Sequence, residues 1–225
     1  MDKIENFVLM FEVETPVISF GFLTLDAILA ALIFQETDDL EMAHNNIPLA
    51  RTDGVWHGSA AMFTPSFENG TAEFVRDIKM PELESGLWQH PKKTKHPLFV
   101  DKQRGDWKSE ISAYETFSAS QVRWFGRGDI ETVINLLNRS LFFVGAKGRQ
   151  GYGRVSNGTG LAEIIADDFS LEYKGSPARP IPLDVWDGWG KSKPARLAAT
   201  AGAPPYFKTG RQLCAVPTTR FFRGA

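Results

Sequence analysis

The stretch that most constrains this 225-residue chain runs from Asp129 to Val155. Ile130, Val133, Ile134 and Leu137 recur at the spacing of one helical face, with Glu131 in the first turn and Arg139 in the last. Asp129 supplies a side-chain acceptor for the free N–H groups, and the two charges oppose the helix dipole at each end. The pattern therefore predicts a helix that starts after Asp129 and ends near Arg139. Leu141-Phe142-Phe143-Val144 follows and reads as a buried apolar run. It leads into Gly145-Ala-Lys-Gly-Arg-Gln-Gly-Tyr-Gly-Arg154, where the glycines break any helix and allow the backbone into left-handed turns.

That glycine loop carries chemistry as well as shape. Lys147, Gly148, Arg149, Gln150, Gly151, Tyr152 and Arg154 combine cations that neutralise phosphate, a backbone that can approach a ligand closely, and a ring that can stack. A nucleotide P-loop is excluded, because it needs Lys and then Ser or Thr after its last glycine, and Gly153 is followed by Arg154 and Val155. The dinucleotide fingerprint also fails, since no Gly-x-Gly-x-x-Gly can be read and no helix follows. A polymeric phosphate backbone remains as the ligand. The alternative is a surface hairpin turn that is merely basic.

Elsewhere the chain opens on an alternating apolar segment, Phe7 to Val17, which predicts a half-buried strand ending at Thr15-Pro16. Leu25, Ile28, Leu29, Leu32 and Ile33 then predict a helix, with Thr24 as its cap and Asp26 in its first turn. Val55 to Phe63 and Ala119 to Phe125 are further strand candidates, and a strand or hairpin should reach Ile165. Strand, helix, strand, strand, helix, strand is the ferredoxin-like plan of an α+β domain. Between the middle strands, about residues 65–118 form a polar, proline-punctuated insertion. It carries Lys92, Lys93, Lys95, His96, Lys102, Arg104 and Lys108 among Trp88, Phe99 and Trp107, too long for a plain loop and compatible with a projecting β-hairpin. From Asp167 on, prolines are spaced so that no long helix fits, and the segment 167–225 is expected to be extended or irregular and to pack on the domain formed by 1–166.

Charge is segregated. Residues 1–50 hold nine acids against Lys3 alone, and residues 188–225 hold seven bases and no acid, so a net charge of −2 conceals a dipolar chain. Such a chain suits a subunit with a polyanion on one side and protein on the other, a solvated basic face being the plain alternative. The single cysteine, Cys214, excludes an internal disulfide framework and suits a reducing cytosol. The opening residues lack the pattern of a secretory signal, and the apolar run from Val17 to Phe34 is interrupted by Gly21 and Asp26, so no membrane span is expected.

With these residues in view, the segment Phe142 to Val155, ending Gly-Tyr-Gly-Arg-Val, resembles the signature loop of the RAMP superfamily of CRISPR proteins. Thr15-Pro16-Val17, Leu25-Asp26-Ala27-Ile28-Leu29, Ile47-Pro48-Leu49-Ala50, Trp56-His57-Gly58-Ser59-Ala60, Pro204-Pro205-Tyr206 and Cys214-Ala215-Val216-Pro217 resemble the Cas-five-like (Csf) subunit of type IV effector complexes. The resemblance implies a ferredoxin-like (RRM-like) RAMP domain with a thumb-like insertion, in a cytoplasmic prokaryotic ribonucleoprotein without cofactor or metal. It implies a subunit that binds the 5′ handle of CRISPR RNA, caps one end of the complex beside a backbone subunit and a large-subunit-like protein, and helps position target DNA. Loop contacts would be Lys147, Arg149, Gln150, Tyr152 and Arg154, with His57 and Ser59 near the same cleft and Lys92, Lys93, Lys95 and Arg104 on the thumb.

Catalysis is the competing expectation. His44, His57, His90 and His96 are the neutral-pH proton shuttles, and related RAMP endoribonucleases use a histidine with a Tyr or Lys partner. His57 is the candidate of interest, but no acid partner is visible beside it. Asp38-Asp39 and Asp167-Asp168 lack the His or Cys company of a metal site and read as solvated or helix-end charges. Trp186 and Trp189 read as packing residues of the tail rather than base-stacking ones.

Overall fold

The computed structural model describes residues 3–76, 109–156, 158–202, 204, 206 and 210–219. The elements are β1 (Glu5–Glu12), α1 (Leu25–Thr37), α2 (Leu40–Asn45), β2 (Arg51–Thr52), β3 (Val55–Trp56), β4 (Met62–Arg76), β5 (Glu110–Gly128), α3 (Ile130–Ser140), β6 (Leu161–Ile164), β7 (Glu172–Tyr173), β8 (Ser176–Pro177), β9 (Ile181–Pro182), α4 (Leu183–Gly188), β10 (Leu197–Thr200) and β11 (Gln212–Ala215). The chain divides into two compact units, Met1–Glu68 with Phe117–Ala225, and Asn69–Thr116.

A four-stranded sheet of order β4-β5-β1-β6 organises the larger unit. β1 runs antiparallel to β5, from Glu5 opposite Gly128 to Glu12 opposite Gln121, and antiparallel to β6, from Phe7 opposite Ile164 to Met10 opposite Leu161. Alternation puts Phe7, Leu9 and Phe11 on one face of β1, where they pack with Leu25 and Leu29 of α1, Trp124 of β5 and Val133 and Leu137 of α3. Val8 points the other way, into a smaller cluster with Met62 and Phe125. The fold is thus a mixed α/β one with antiparallel sheets and helices on one sheet face.

Capping separates the two principal helices. At α3 the Asp129 carboxylate accepts from the Thr132 N–H, as the sequence predicts. At α1 the Thr24 side chain makes no capping bond; its hydroxyl meets the Tyr206 hydroxyl at 2.8 Å, and Asp26 is buried in an ion pair instead of facing solvent in the first turn. The apolar run Val17 to Phe34 is the end of the N-terminal segment followed by this core helix, and among the described residues no helix is long and apolar enough to cross a membrane.

Other boundaries shift for identifiable reasons. β1 stops at Glu12 rather than Val17, because beyond it the continuous ladder gives way to isolated bridges, Val13 with Val155, Val17 with Phe117 of β5 and Ile18 with Ala146. β4 and β5 reach Arg76 and begin at Glu110, so both ends of the expected insertion are strand. The Val55 to Phe63 segment divides into β3, which forms a hairpin with β2, and the start of β4. Lys92, Lys93, Lys95 and Arg104, like His90, His96, Trp88 and Trp107, lie outside the described residues. The C-terminal segment contains a three-stranded sheet of order β10-β11-β9 and the short α4, whose Trp186 packs with Val55, Ile181 and Ala215. Cys214 is buried in that sheet.

Candidate functional site

The glycine loop is a hairpin clamped onto the N-terminal segment. Its arms pair through Val144 N–H to Gly153 O at 2.7 Å and Val155 N–H to Phe142 O at 3.0 Å. Its outer side is fastened by Ala146 N–H to Ile18 O (2.7 Å), Gly153 N–H to Pro16 O (2.8 Å), Glu14 N–H to Arg154 O (2.8 Å) and Arg154 N–H to Thr15 Oγ1 (2.8 Å). Two of the glycines exist for this clamp. Gly145 has φ +87° and a Cβ there would lie 2.3 Å from Ile18 O; Gly153 has φ +65° and a Cβ would lie 1.9 Å from Val144 O. No side chain fits either place.

The tip is a single 3₁₀ turn, Gly148–Gln150, entered through Lys147 at φ +62° and left through Gly151 at φ +89°. Gln150 N–H and Tyr152 N–H both donate to Lys147 O, and Gly151 N–H donates to Gly148 O. Arg149 and Gln150 are exposed, and Lys147 and Tyr152 are half-buried. A rigid base therefore presents a short turn bearing positive charge, the arrangement a phosphate backbone needs. Arg154 stands apart from the tip: its exposed guanidinium pairs with Glu14, Nε to Oε2 at 3.0 Å.

One expectation for the loop is corrected. The run Leu141 to Val144 is not buried throughout: Leu141 and Val144 are, but Phe142 is 51% and Phe143 41% exposed. Leu141 and Val144 at the two ends of the run are covered by the core, while the two phenylalanines between them stay open to solvent, a pattern that strict strand alternation does not produce.

His57 and Ser59 are not brought to this loop. Arg127 N–H donates to His57 O, and Ser59 N–H to Phe125 O, which places both beside the β5 residues that face Asn6 and Val8. The loop meets the chain at Val13 to Ile18. About six residues of extended backbone, roughly 20 Å, separate Asn6, beside His57, from the first fastening points, while Ser59 lies nearer, its neighbour Ala60 sharing a small cleft with Ser19. Ser59 is fully buried and its hydroxyl is spent on the backbone, donating to Ala60 O and accepting from Phe125 N–H.

His57 has the partners that sequence reading missed. It is 4% exposed; Nε2 lies 2.8 Å from Thr52 Oγ1, and Nδ1 lies 3.0 Å from both Asp168 Oδ2 and Ser170 Oγ. Asp168 Oδ1 accepts from Ser170 N–H at 2.9 Å and from the Ser170 hydroxyl at 2.5 Å. Burial works to raise the Asp168 pKa, but the bonds from His57 and Ser170 outweigh it and hold the carboxyl at about 2. An ionised Asp168 accepts the Nδ1 proton, and in a neutral ring Nε2 then accepts from the Thr52 hydroxyl. Asp168 is thus a fixed structural anion and not a solvated or helix-end charge. Thr52, His57 and Asp168 line one side of an open cleft of about 560 Å³ that also meets Asp167, Phe169, Lys174, Trp186, Trp189 and Lys191. Asp168 and Ser170 lie 111 and 113 residues from His57, and no local pattern announces them.

A family model described as CRISPR type IV associated protein Csf3 matches residues 6–209. No curated protein matches the chain. Among solved structures, a chain of the cryo-EM structure of the Type III-B Cmr-beta bound to cognate target RNA is similar at 12% identity and a TM-score of 0.40. The likeness covers 72% of this chain and 61% of that one, so this chain spans less than two thirds of its neighbour's length.

Proposed function

This chain belongs to the family of CRISPR type IV associated protein Csf3, and from that premise we propose that it is a non-catalytic, RNA-binding subunit of a type IV CRISPR effector complex. It grips the 5′ handle of CRISPR RNA, caps one end of the complex and helps position target DNA. The observation that carries the reading is the clamped hairpin: a base fixed to residues 14–18 holds the Lys147 to Tyr152 tip outward with Arg149 exposed. Preorganised loops of this kind lose little entropy on binding, so their cations contribute more of their attraction for phosphate to affinity.

The fold supports the same reading. We read the sheet as ferredoxin-like, because the order β4-β5-β1-β6 with α1 and α3 as the intervening helices is what that plan requires. The separate unit Asn69–Thr116 is read as the thumb-like insertion. Its partners are CRISPR RNA, the backbone subunit, a large-subunit-like protein and target DNA, in the prokaryotic cytoplasm; sequence discrimination on the target is left to base pairing with the guide.

A second reading, cleavage of precursor RNA, draws on His57, since Asp168 fixes its tautomer and leaves Nε2 as a base. Against it, His57 is buried and both ring nitrogens are already engaged.

The purified chain, incubated without metal with labelled CRISPR RNA and its precursor across a salt series, separates the two. Salt-sensitive retention without cutting is expected. Cutting that disappears in His57→Gln would replace the binding reading by the nuclease one, and retention that is indifferent to Arg149→Ala would remove the loop from the RNA interface.

A further inference from the structure

Gly148 differs from its neighbours. Gly145, Gly151 and Gly153 have positive φ and Gly148 does not, so its backbone conformation does not call for glycine. Phe143 does: a Cβ on Gly148 would lie 2.7 Å from Phe143 Cβ and 2.8 Å from Phe143 Cγ. The bare peptide of the 3₁₀ turn therefore seats against the root of the Phe143 ring, and the residue remains 41% exposed. An aromatic seated against the backbone yet left open to solvent offers a face that a ligand can cover.

Its surroundings identify the contact. Phe143 bridges Arg154 across the hairpin, so the two side chains leave on the same face, and Arg149 follows Gly148 directly in the turn that covers the ring root. Phe142, one residue earlier in the extended arm, belongs to the opposite face. An open aromatic side chain on a fixed backbone, with Arg149 in the adjoining turn and the Glu14-paired Arg154 across the hairpin, offers what an unpaired nucleobase and its flanking phosphates can use.

We propose that Phe143 is a base-stacking platform for single-stranded RNA, with Gly148 kept small so that the turn can close against the ring without covering its face. This rests on the loop being the RNA contact, and it adds a residue that reads bases by their π faces to one that reads only charge. Stacking makes no demand on base identity, so the platform would fix the register of an RNA strand rather than its sequence.

The test measures affinity of the full-length chain for fluorescein-labelled CRISPR RNA against salt, with Phe143→Leu, Phe143→Trp, Phe142→Leu and Arg149→Ala. Phe143→Leu keeps apolar volume and removes the ring, so affinity should fall roughly 5- to 150-fold with an unchanged salt slope, while Phe143→Trp retains binding and Phe142→Leu matches the parent. If Arg149→Ala weakens binding and Phe143→Leu does not, the platform is refuted and the loop reading stands. If neither changes it, the loop reading itself fails and takes the platform with it. If Phe143→Leu leaves RNA affinity intact but releases the chain from its assembled complex, the ring is a protein contact and the proposal is overturned.

Discussion

The Arg179 guanidinium lies fully buried against the equally buried Asp26 carboxylate, with Nη1 3.0 Å from Oδ1 and Nη2 donating to Oδ2 at 3.1 Å. It also donates to Trp56 O, Gly58 O and Gly202 O, and to the Tyr206 hydroxyl, which in turn donates to Asp26 Oδ2 at 2.8 Å. One side chain thus ties α1, the segment after β3 and the C-terminal region together. Burial works to lower the guanidinium pKa, but the Asp26 charge beside it more than offsets this and the net shift is upward. Asp26 Oδ1 has no aligned hydrogen-bond donor, so the charge contact with Nη1 is what compensates its burial.

Removing one partner of this pair leaves the other charged in the core. Arg179→Met is therefore expected to cost about 3–5 kcal/mol, and so is Asp26→Leu, while the double variant recovers much of the loss because two apolar residues need no partner. Urea denaturation of the three variants decides it; a double variant as unstable as the sum of the singles would mean the two residues act independently.

Stability should also depend on pH through Asp168. Its carboxyl is held at about 2 in the folded chain against an ordinary value of 3.8, so the folded state favours the ionised form. This contribution is complete above the unfolded pKa and is lost as pH falls from about 4 toward 2. The shift corresponds to at most about 2 kcal/mol, since Asp168 is partly open to solvent. Asp168→Asn should lower stability at pH 7 by up to that amount and narrow the gap to the parent as pH approaches 2. A gap that stays constant from pH 7 to 2 would show that the His57 and Ser170 bonds do not depend on the charge.

These two networks also mark where sequence reading ends. The Asp129 cap and the apolar periodicity of α3 are local, so helix and boundary were both legible. The loop was legible as a turn because glycine and charge density are local too. Thr24 looked like a cap because nothing nearby reveals that Tyr206, 182 residues on, takes its hydroxyl. The partners of His57 are hidden for the same reason, 111 and 113 residues along the chain. Apolar composition predicts Phe142 and Phe143 as buried because it says that a residue can be covered, whereas only the packing around the hairpin arm decides whether it is.

Among the loop glycines, strain and crowding separate two classes. Gly153→Ala adds a Cβ against the Val144 carbonyl at a position with φ +65°, and neither backbone can yield, so a loss above about 2 kcal/mol is expected. Gly151→Ala meets nothing within 4 Å and carries only the penalty of a left-handed conformation, about 1–2 kcal/mol. Thermal unfolding of both, with equal losses as the contrary result, tests whether the arm at Gly153 is the clamp that holds the tip.

Arg149 and Arg154 should not be equivalent toward RNA, although they stand in the same sequence motif. Arg149 is exposed on the tip, whereas the charge of Arg154 is shared with Glu14 at 3.0 Å and its main chain is committed to Glu14 and Thr15. A phosphate that engages Arg149 releases a counterion, so Arg149→Ala should lower the salt slope of single-strand binding by about 0.7. A phosphate that engages Arg154 must first compete with a carboxylate, so Arg154→Ala should lower the slope less. Glu14→Gln removes that competitor and should raise both affinity and slope, an effect that vanishes in the Glu14→Gln, Arg154→Ala double variant. Equal slopes for the two alanine variants, or no gain from Glu14→Gln, would mean that the ion pair opens freely and that the loop presents its arginines as one undivided cationic surface.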